Sequence, residues 1–468
     1  MDIKGCKKGR KHMTTNEERE NDKEDEQQQQ DHTTTAESVV SFGILELPIH
    51  LIYDILSRNS PKTILCCRCV CKTFLKILTD PYFAEIYLIK APNVAASLIL
   101  QDSSIPNGFV FVYMLDLEVT SSAASCSTHH HPSRPCQGLT VKNTKFQFYH
   151  GHVTLVGSCN GLLCLRRDSW SKPLYYICNP ILGELMVLPQ QSPSKPVYLK
   201  LENSGFGFCP KTKQYKVIRF MCLTSFDSTI SKKAVAEIHT LGTESWRSIG
   251  DAPCPRMRGS FDSLLDGILH WITDSVTAFN LICSFDLETE QFRSIAAPTH
   301  FNADYVNKIS CINVGVLGGY LCLCYVLGDA QFDVWVMKDY GVKESWTKEF
   351  TIDINFYCGL RVKDLHQPIK FLNNGDMLLI TNSNSLVSYS PRKRTFREFK
   401  ALGDPNLQAV AHIPSFISLK DLARGKNVKK VKRKSKERFV WTREFLGNAE
   451  NAVEHKLEFT RGRPSSTN

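Results

Sequence analysis

The sequence predicts an α+β multi-domain chain: a short all-α unit, then an all-β propeller of about five to six blades, with disordered tails at both ends. Three observations carry this. Between Leu45 and Leu88 apolar residues recur at helical spacing. From about Ala95 they fall in short alternating or continuous runs bounded by Gly, Asn, Asp and Pro. Two separate marks then recur at an interval near fifty residues. The expected boundaries are 1–40 for a polar tail, 41–90 for the helical unit, 95–420 for the β domain and 421–468 for a basic tail.

Residues 1–40 mix charges of both signs with a run from Gln27 to Gln30 and a threonine cluster. Such a stretch cannot bury enough apolar surface to fold. Pro48 then stands where a helix should start, its fixed φ suiting the first helical position. Behind it Ile49, Leu51, Ile52, Ile55 and Leu56 give an apolar face that ends at Asn59-Ser60-Pro61. Ile64, Leu65, Cys69 and Val70 form a second short face, Phe74, Leu75 and Leu78 a third, and Phe83, Ile86 and Tyr87 a fourth. Helices this short bury their faces only by packing together, and the small core leaves apolar surface for a partner.

The β region shows its repeat in two ways. A glycine enters a strand at Gly161, Gly267, Gly319 and Gly375, at intervals of 106, 52 and 56 residues. The first interval is about doubled, so one copy lacks the glycine, and Phe206-Gly207-Phe208 with Tyr215 to Ile218 occupies the gap. An anchor after a polar turn recurs at Leu185, Trp246, Phe292, Trp346 and Phe396, spaced 61, 46, 54 and 50 residues. A four-stranded sheet with two bare faces is stable only when stacked in a ring, and the period suits a propeller blade of the kelch size. Five blades fit between about 155 and 400. Residues 97–155 and the run Ala409 to Leu419 can share a sixth, closing the ring and removing edges. A pair of β-sandwiches is the competing arrangement.

Leu47-Pro48, Ile55-Leu56, Cys67-Arg68-Cys69-Val70-Cys71-Lys72 and Asp80-Pro81-x-Phe83 together resemble the F-box of plant proteins. The resemblance implies docking to a Skp-type adaptor of a cullin–RING ubiquitin ligase. By position it assigns the contact to Leu47, Pro48, Leu51, Ile52, Ile55 and Leu56, with a second patch at Val70, Cys71 and Lys72. Two departures stand out: Asn59-Ser60-Pro61-Lys62 replaces the usual Leu-Pro-Val-Lys, and Phe74 replaces a tryptophan. Downstream, Ser158 to Cys164, Asn179-Pro180, Leu188-Pro189, Gly205 to Phe208 and Tyr215-Lys216-Val217 resemble the F-box-associated domain of the same proteins. That resemblance implies a kelch-like domain that recruits a target protein.

Hydrophobic content of 42% and charged content of 22% are ordinary for a soluble chain. No run approaches the ~20 apolar residues of a membrane span, and the polar N-terminus lacks a secretory h-region. The eighteen cysteines read as free thiols of a reducing compartment, Cys322 and Cys324 among them as strand residues. Zinc at Cys66, Cys67, Cys69 and Cys71 is disfavoured by spacing, and His129 to His131 between Cys126 and Cys136 carry only a compositional hint of metal. No cofactor is expected.

Lys429, Lys430, Lys432, Arg433, Lys434 and Lys436 form an acid-free basic run that resembles a nuclear localisation patch and supplies much of the net charge of +10. Nucleus, cytoplasm or both are the expected compartments. No aromatic residues interleave with this run, so a nucleic-acid partner is not expected. No zincin, nucleophile-elbow, P-loop or dinucleotide motif is present. The chain therefore reads as a non-catalytic receptor, against a propeller scaffold, or a propeller enzyme, with an inactive F-box.

Overall fold

The computed structural model describes residues 43–90, 97–102, 109–116, 145–149, 153–167, 173–190, 199–223, 234–255, 263–273, 281–328, 331–353, 366–372, 374–381, 386–399, 408–423 and 428–430. The chain divides into two compact units, Met1–Leu47 and Pro48–Asn468. In the first, the described residues form a 3-10 turn at Ile44–Glu46, closed by Leu47 N donating to Ile44 O at 3.3 Å.

The second unit opens with four helices. Helix α1 (Ile49–Ser57) follows Pro48, which caps it from outside instead of occupying its first turn. Asn59 Nδ2 donates to Ile55 O at 2.8 Å at its end. The Asn59-Ser60-Pro61 stretch, expected to stop one helix, also starts the next. The Ser60 side chain accepts from Thr63 N at 3.2 Å, and Pro61 takes the first position of α2 (Pro61–Cys67). Helix α2 stops at Cys67, so Cys69 and Val70 lie in an exposed turn and do not extend an apolar face. Helix α3 (Lys72–Leu78) is capped by Cys71 Sγ, which accepts from Phe74 N at 3.4 Å. Helix α4 (Pro81–Lys90) begins beside Asp80, whose carboxylate accepts from Tyr82 N at 2.9 Å and from the Tyr53 hydroxyl at 2.7 Å. That pair of bonds ties α4 to α1. Ile52, Tyr53, Leu56, Ile64, Ile77, Leu78, Phe83 and Tyr87 fill the space between the helices.

Among the described residues that follow, the strands form a ring of six antiparallel sheets, at the upper end of the expected blade number. Strands β1 (Ser97–Asp102), β2 (Phe109–Asp116) and β3 (Lys145–Tyr149) come first. Blade 2 is β4 (Val153–Cys159), β5 (Leu162–Arg167), β6 (Leu174–Asn179) and β7 (Glu184–Val187). Blade 3 is β8 (Leu199–Cys209), β9 (Gln214–Leu223), β10 (Ala234–Thr240) and β11 (Arg247–Ala252). Blade 4 is β12 (Leu264–Leu265), β13 (Ile268–Ile272), β14 (Ile282–Asp286) and β15 (Phe292–Ile295). A short helix α5 (Ala303–Val306) leads to blade 5: β16 (Ile309–Leu317), β17 (Tyr320–Leu327), β18 (Gln331–Met337) and β19 (Trp346–Asp353). Blade 6 is β20 (His366–Phe371), β21 (Met377–Thr381), β22 (Leu386–Ser390) and β23 (Thr395–Phe399).

The chain then returns as β24 (Gln408–His412), which pairs with β1 so that Ser97 faces His412 and Leu100 faces Ala409. Blade 1 is thus built from both ends of the domain, as the sequence suggested. The innermost strands neighbour one another in the order β4, β8, β12–β13, β16, β20, β24 and back to β4, which closes the ring. A turn of helix, α6 (Leu419–Leu422), follows β24. Strand β25 (Val428–Lys430) adds a fifth strand to blade 2, with Lys430 opposite Glu184 and Val428 opposite Met186. The tail expected to be unstructured from 421 onward therefore begins with ordered backbone.

Turn chemistry explains the first sequence mark. Each glycine lies in the hairpin joining the first two strands of a blade. Asn160-Gly161 has φ of 49° and 78°, and Asp266-Gly267 has 48° and 81°. Two-residue hairpins of this twist need two positive φ values, which Asn, Asp and Gly tolerate best. Blade 3 lacks the glycine because its longer turn puts Lys213 at φ 52° instead.

Packing explains the fully apolar strands. In β17, Leu321, Leu323 and Tyr325 pack with Ile282 and Ile295 of blade 4. Cys322, Cys324 and Val326 pack with Met377 and Leu379 of blade 6. A strand covered on both sides has no reason to alternate polarity. The two cysteines are fully buried, their sulfurs 3.3 Å apart, and burial raises the Cys324 thiol pKa well above its usual value.

Candidate functional site

Helix α1 carries more apolar residues than one core can use. Ile52 and Leu56 are 2% and 4% exposed and belong to the interior. Ile49, Leu51 and Ile55 are 48%, 42% and 41% exposed. The F-box resemblance grouped Ile52 and Leu56 with the contact residues. They are turned inward against α4, which leaves Leu51 and Ile55 as the exposed apolar residues of that set on α1. Pro48, ahead of the helix, is exposed, and so is Leu47 in the first unit.

The second patch follows from where α2 ends. The turn between α2 and α3 leaves Val70 exposed, and Lys72 projects from the start of α3. Cys71 is half-buried because its sulfur is used as a helix cap. Cys66 and Cys69 are exposed, and Cys69 Sγ donates to Leu65 O at 3.4 Å.

Charge and hydrogen bonding keep this face in shape. Asp54 on α1 pairs with Lys90 at the end of α4 and with Arg58 one turn on. The Lys90 ammonium, then the Arg58 guanidinium, hold the Asp54 carboxyl below its ordinary value against the opposing effect of desolvation. Burial, and next the Asp80 carboxylate, push the Tyr53 hydroxyl up to about 12, so it remains a donor.

Two further exposed apolar residues, Tyr82 and Ile89 on α4, escaped the sequence reading, and Leu75, which it placed with Phe74 and Leu78 on one apolar face of α3, is exposed as well. The seven-residue spacing of Tyr82 and Ile89 was the available signal. Of the basic run, Lys429 and Lys430 belong to β25. Lys432, Arg433, Lys434 and Lys436 lie outside the described residues, as do His129, His130 and His131.

Comparison with known proteins agrees with this division. Residues 44–85 match the F-box domain model and residues 112–419 match the F-box associated beta propeller domain model. F-box protein At3g07870 of Arabidopsis thaliana is 30% identical over 406 residues, covering 78% of this chain and 90% of the relative. F-box proteins CPR1 and DOR of the same plant are each 27% identical over 330 residues. They cover 65% and 67% of this chain, and 73% and 79% of their own lengths. The helical unit with its exposed α1 face is an F-box, the ring is its associated propeller, and the chain belongs to the plant F-box proteins that carry both.

Proposed function

We propose that this protein is the target-recruiting subunit of an SCF-type cullin–RING ubiquitin ligase. The F-box docks a Skp-type adaptor through Leu47, Pro48, Leu51 and Ile55, with Val70 and Lys72 as a second contact. The propeller holds a target protein. No residue of the chain performs chemistry in this reading. Catalysis comes from proximity, because tethering raises the effective concentration of target lysines near a charged ubiquitin carrier.

The observation that supports this most is the state of α1. Its inward residues are packed in a core that Ile181 and Phe416 help to fill, yet Leu51 and Ile55 remain in solvent on the same helix. Exposed apolar side chains on a small, finished core fit a partner surface.

The order of strands suggests where a target sits. In an up-and-down blade, the first-to-second and third-to-fourth turns emerge on one face of the ring. Ile181 and Leu182, in the third-to-fourth turn of blade 2, pack into the F-box core, so the F-box occupies that face. The connections 224–233, from the second to the third strand of blade 3, and 354–365, from blade 5 to blade 6, join strand ends at the opposite face. A target bound there is held away from the adaptor. The basic run at 426–436 fits nuclear import, and a fluorescent fusion lacking it should lose nuclear enrichment.

The test is a binding assay between the purified chain and a Skp-type adaptor. Binding that Leu47→Ala with Pro48→Ala abolishes supports the ligase reading. An intact, folded chain that does not bind the adaptor overturns it.

A further inference from the structure

The segment after β24 runs against both the ring and the F-box. Phe416 is buried among F-box residues, its ring 4.8 Å from Tyr87 in an edge contact and 6.1 Å from Phe83. The backbone on either side of Phe416 is held by a single side chain. Asn179, fully buried at the end of β6, donates from Nδ2 to Ser415 O at 3.1 Å and to Ile417 O at 2.8 Å. Its Oδ1 accepts from Ile181 N at 2.8 Å and Leu182 N at 3.1 Å, so the same side chain shapes the turn that sends Ile181 into the F-box core.

Neighbouring contacts fix the rest of the segment. Ser415 Oγ donates to Asn160 O at 2.7 Å, and Ser415 lies directly against Gly161. The buried Glu184 carboxylate accepts from Leu419 N at 2.7 Å and from Ser418 Oγ at 3.0 Å. Glu184 also acts electrostatically on Arg68 of the F-box, whose charge burial disfavours and Glu184 favours. Leu419 packs into the ring itself. Side chains three residues apart thus enter two different cores.

We infer that residues 413–423 are a strap that completes the F-box core, with Asn179, Gly161 and Glu184 as positioning residues on the ring. The adaptor-docking helix near the start of the chain is therefore held in shape by a segment near its end. Four short helices are marginal alone, and Phe416 with Ile181 supplies apolar burial that they lack. The Cys159-Asn160-Gly161 and Asn179-Pro180 marks of the propeller serve this joint. Only the description of α1 as adaptor-docking rests on the proposed function.

Hydrogen exchange on the full chain tests the strap. Asn179→Asp keeps an acceptor for Ile181 N and Leu182 N but has no N–H for the carbonyls flanking Phe416. Phe416→Ala removes the ring, and Phe416→Leu restores most of its volume. Exchange at α1 and α4 should rise at least about tenfold in the Asp and Ala variants, with Leu protecting most of it. Exchange at β17 in blade 5, across the ring, should not change. Unchanged exchange in α1 and α4, or an equal rise in β17, overturns the strap. A wild-type chain that ignores the adaptor would sink the ligase reading and leave the exchange result standing.

Discussion

The indole Nε1 of Trp246 donates to the carbonyl of Pro189 at 2.8 Å, crossing from blade 3 to blade 2. Trp346 makes the same bond two blades further on, to Ala296 O at 2.8 Å, crossing from blade 5 to blade 4. Each tryptophan stands at the start of a fourth strand, and each acceptor follows the fourth strand of the preceding blade. Two of the recurring sequence anchors are therefore latches between sheets. Arg219 lies 4.1 Å over the Trp246 ring, adding a cation contact to that latch.

Replacing Trp246 with Phe keeps an aromatic body but leaves the Pro189 carbonyl without its indole donor. The expected loss is about 1–3 kcal/mol of unfolding free energy in urea titrations. Trp346→Phe should lose a similar amount. A change inside experimental error in both would show that these bonds contribute nothing net.

On α1, the two faces predict opposite outcomes. Leu51→Ala with Ile55→Ala should weaken adaptor binding by about 2 kcal/mol or more while the thermal midpoint stays put. Ile52→Ala should instead destabilise the protein by about 2–5 kcal/mol, because it opens a cavity beside Tyr53 and Phe83. Calorimetry on the same samples separates them. Equal thermal shifts would mean that the inward and outward assignments are wrong.

Gly161 combines φ 78° with no room for a side chain: an added Cβ would lie 2.7 Å from the Ser415 backbone nitrogen. Gly161→Ala should therefore cost more than Gly319→Ala. Gly319 has a similar φ of 84°, but nothing stands within 4 Å of its would-be Cβ. Thermal melts of the two variants make the comparison, and equal shifts would argue that strain alone, not the strap, sets the cost.

Acid should weaken the ring. Burial holds His270 at about 4 and His412 at about 3, below the ordinary 6.5. His270 is fixed as a neutral tautomer, with Nδ1 donating to Ser263 O at 3.0 Å and Nε2 accepting from the Tyr340 hydroxyl at 2.7 Å. The unfolded chain takes up these protons first as pH falls. Their stabilising contribution is whole above about pH 6.5 and is lost progressively as pH drops toward 4 and then 3. Each histidine adds a slope of up to about 1.4 kcal/mol per pH unit. Urea titrations between about pH 7 and pH 5 should show it, and His270→Gln should flatten it by about one proton. An unchanged slope in that variant would rule His270 out as a contributor.

The sequence by itself determined what local chemistry controls. Proline and serine positions set the helix starts, Asn-Gly and Asp-Gly pairs set the hairpins, and the fifty-residue period of Gly161 to Gly375 and Leu185 to Phe396 set the blades. Even the shared first blade was legible, because unpaired strand edges demand closure. Only the tertiary structure decided which apolar residues of α1 face solvent. Five such residues in eight positions wrap too far around a helix for spacing to separate Ile52 from Leu51, and the position of α4 makes the division. It also decided that Phe416 belongs to the F-box while Leu419 belongs to the ring. Contacts between residues so far apart leave no periodic trace, since each is an apolar side chain that would suit any core, and only the folded chain brings its partner to it.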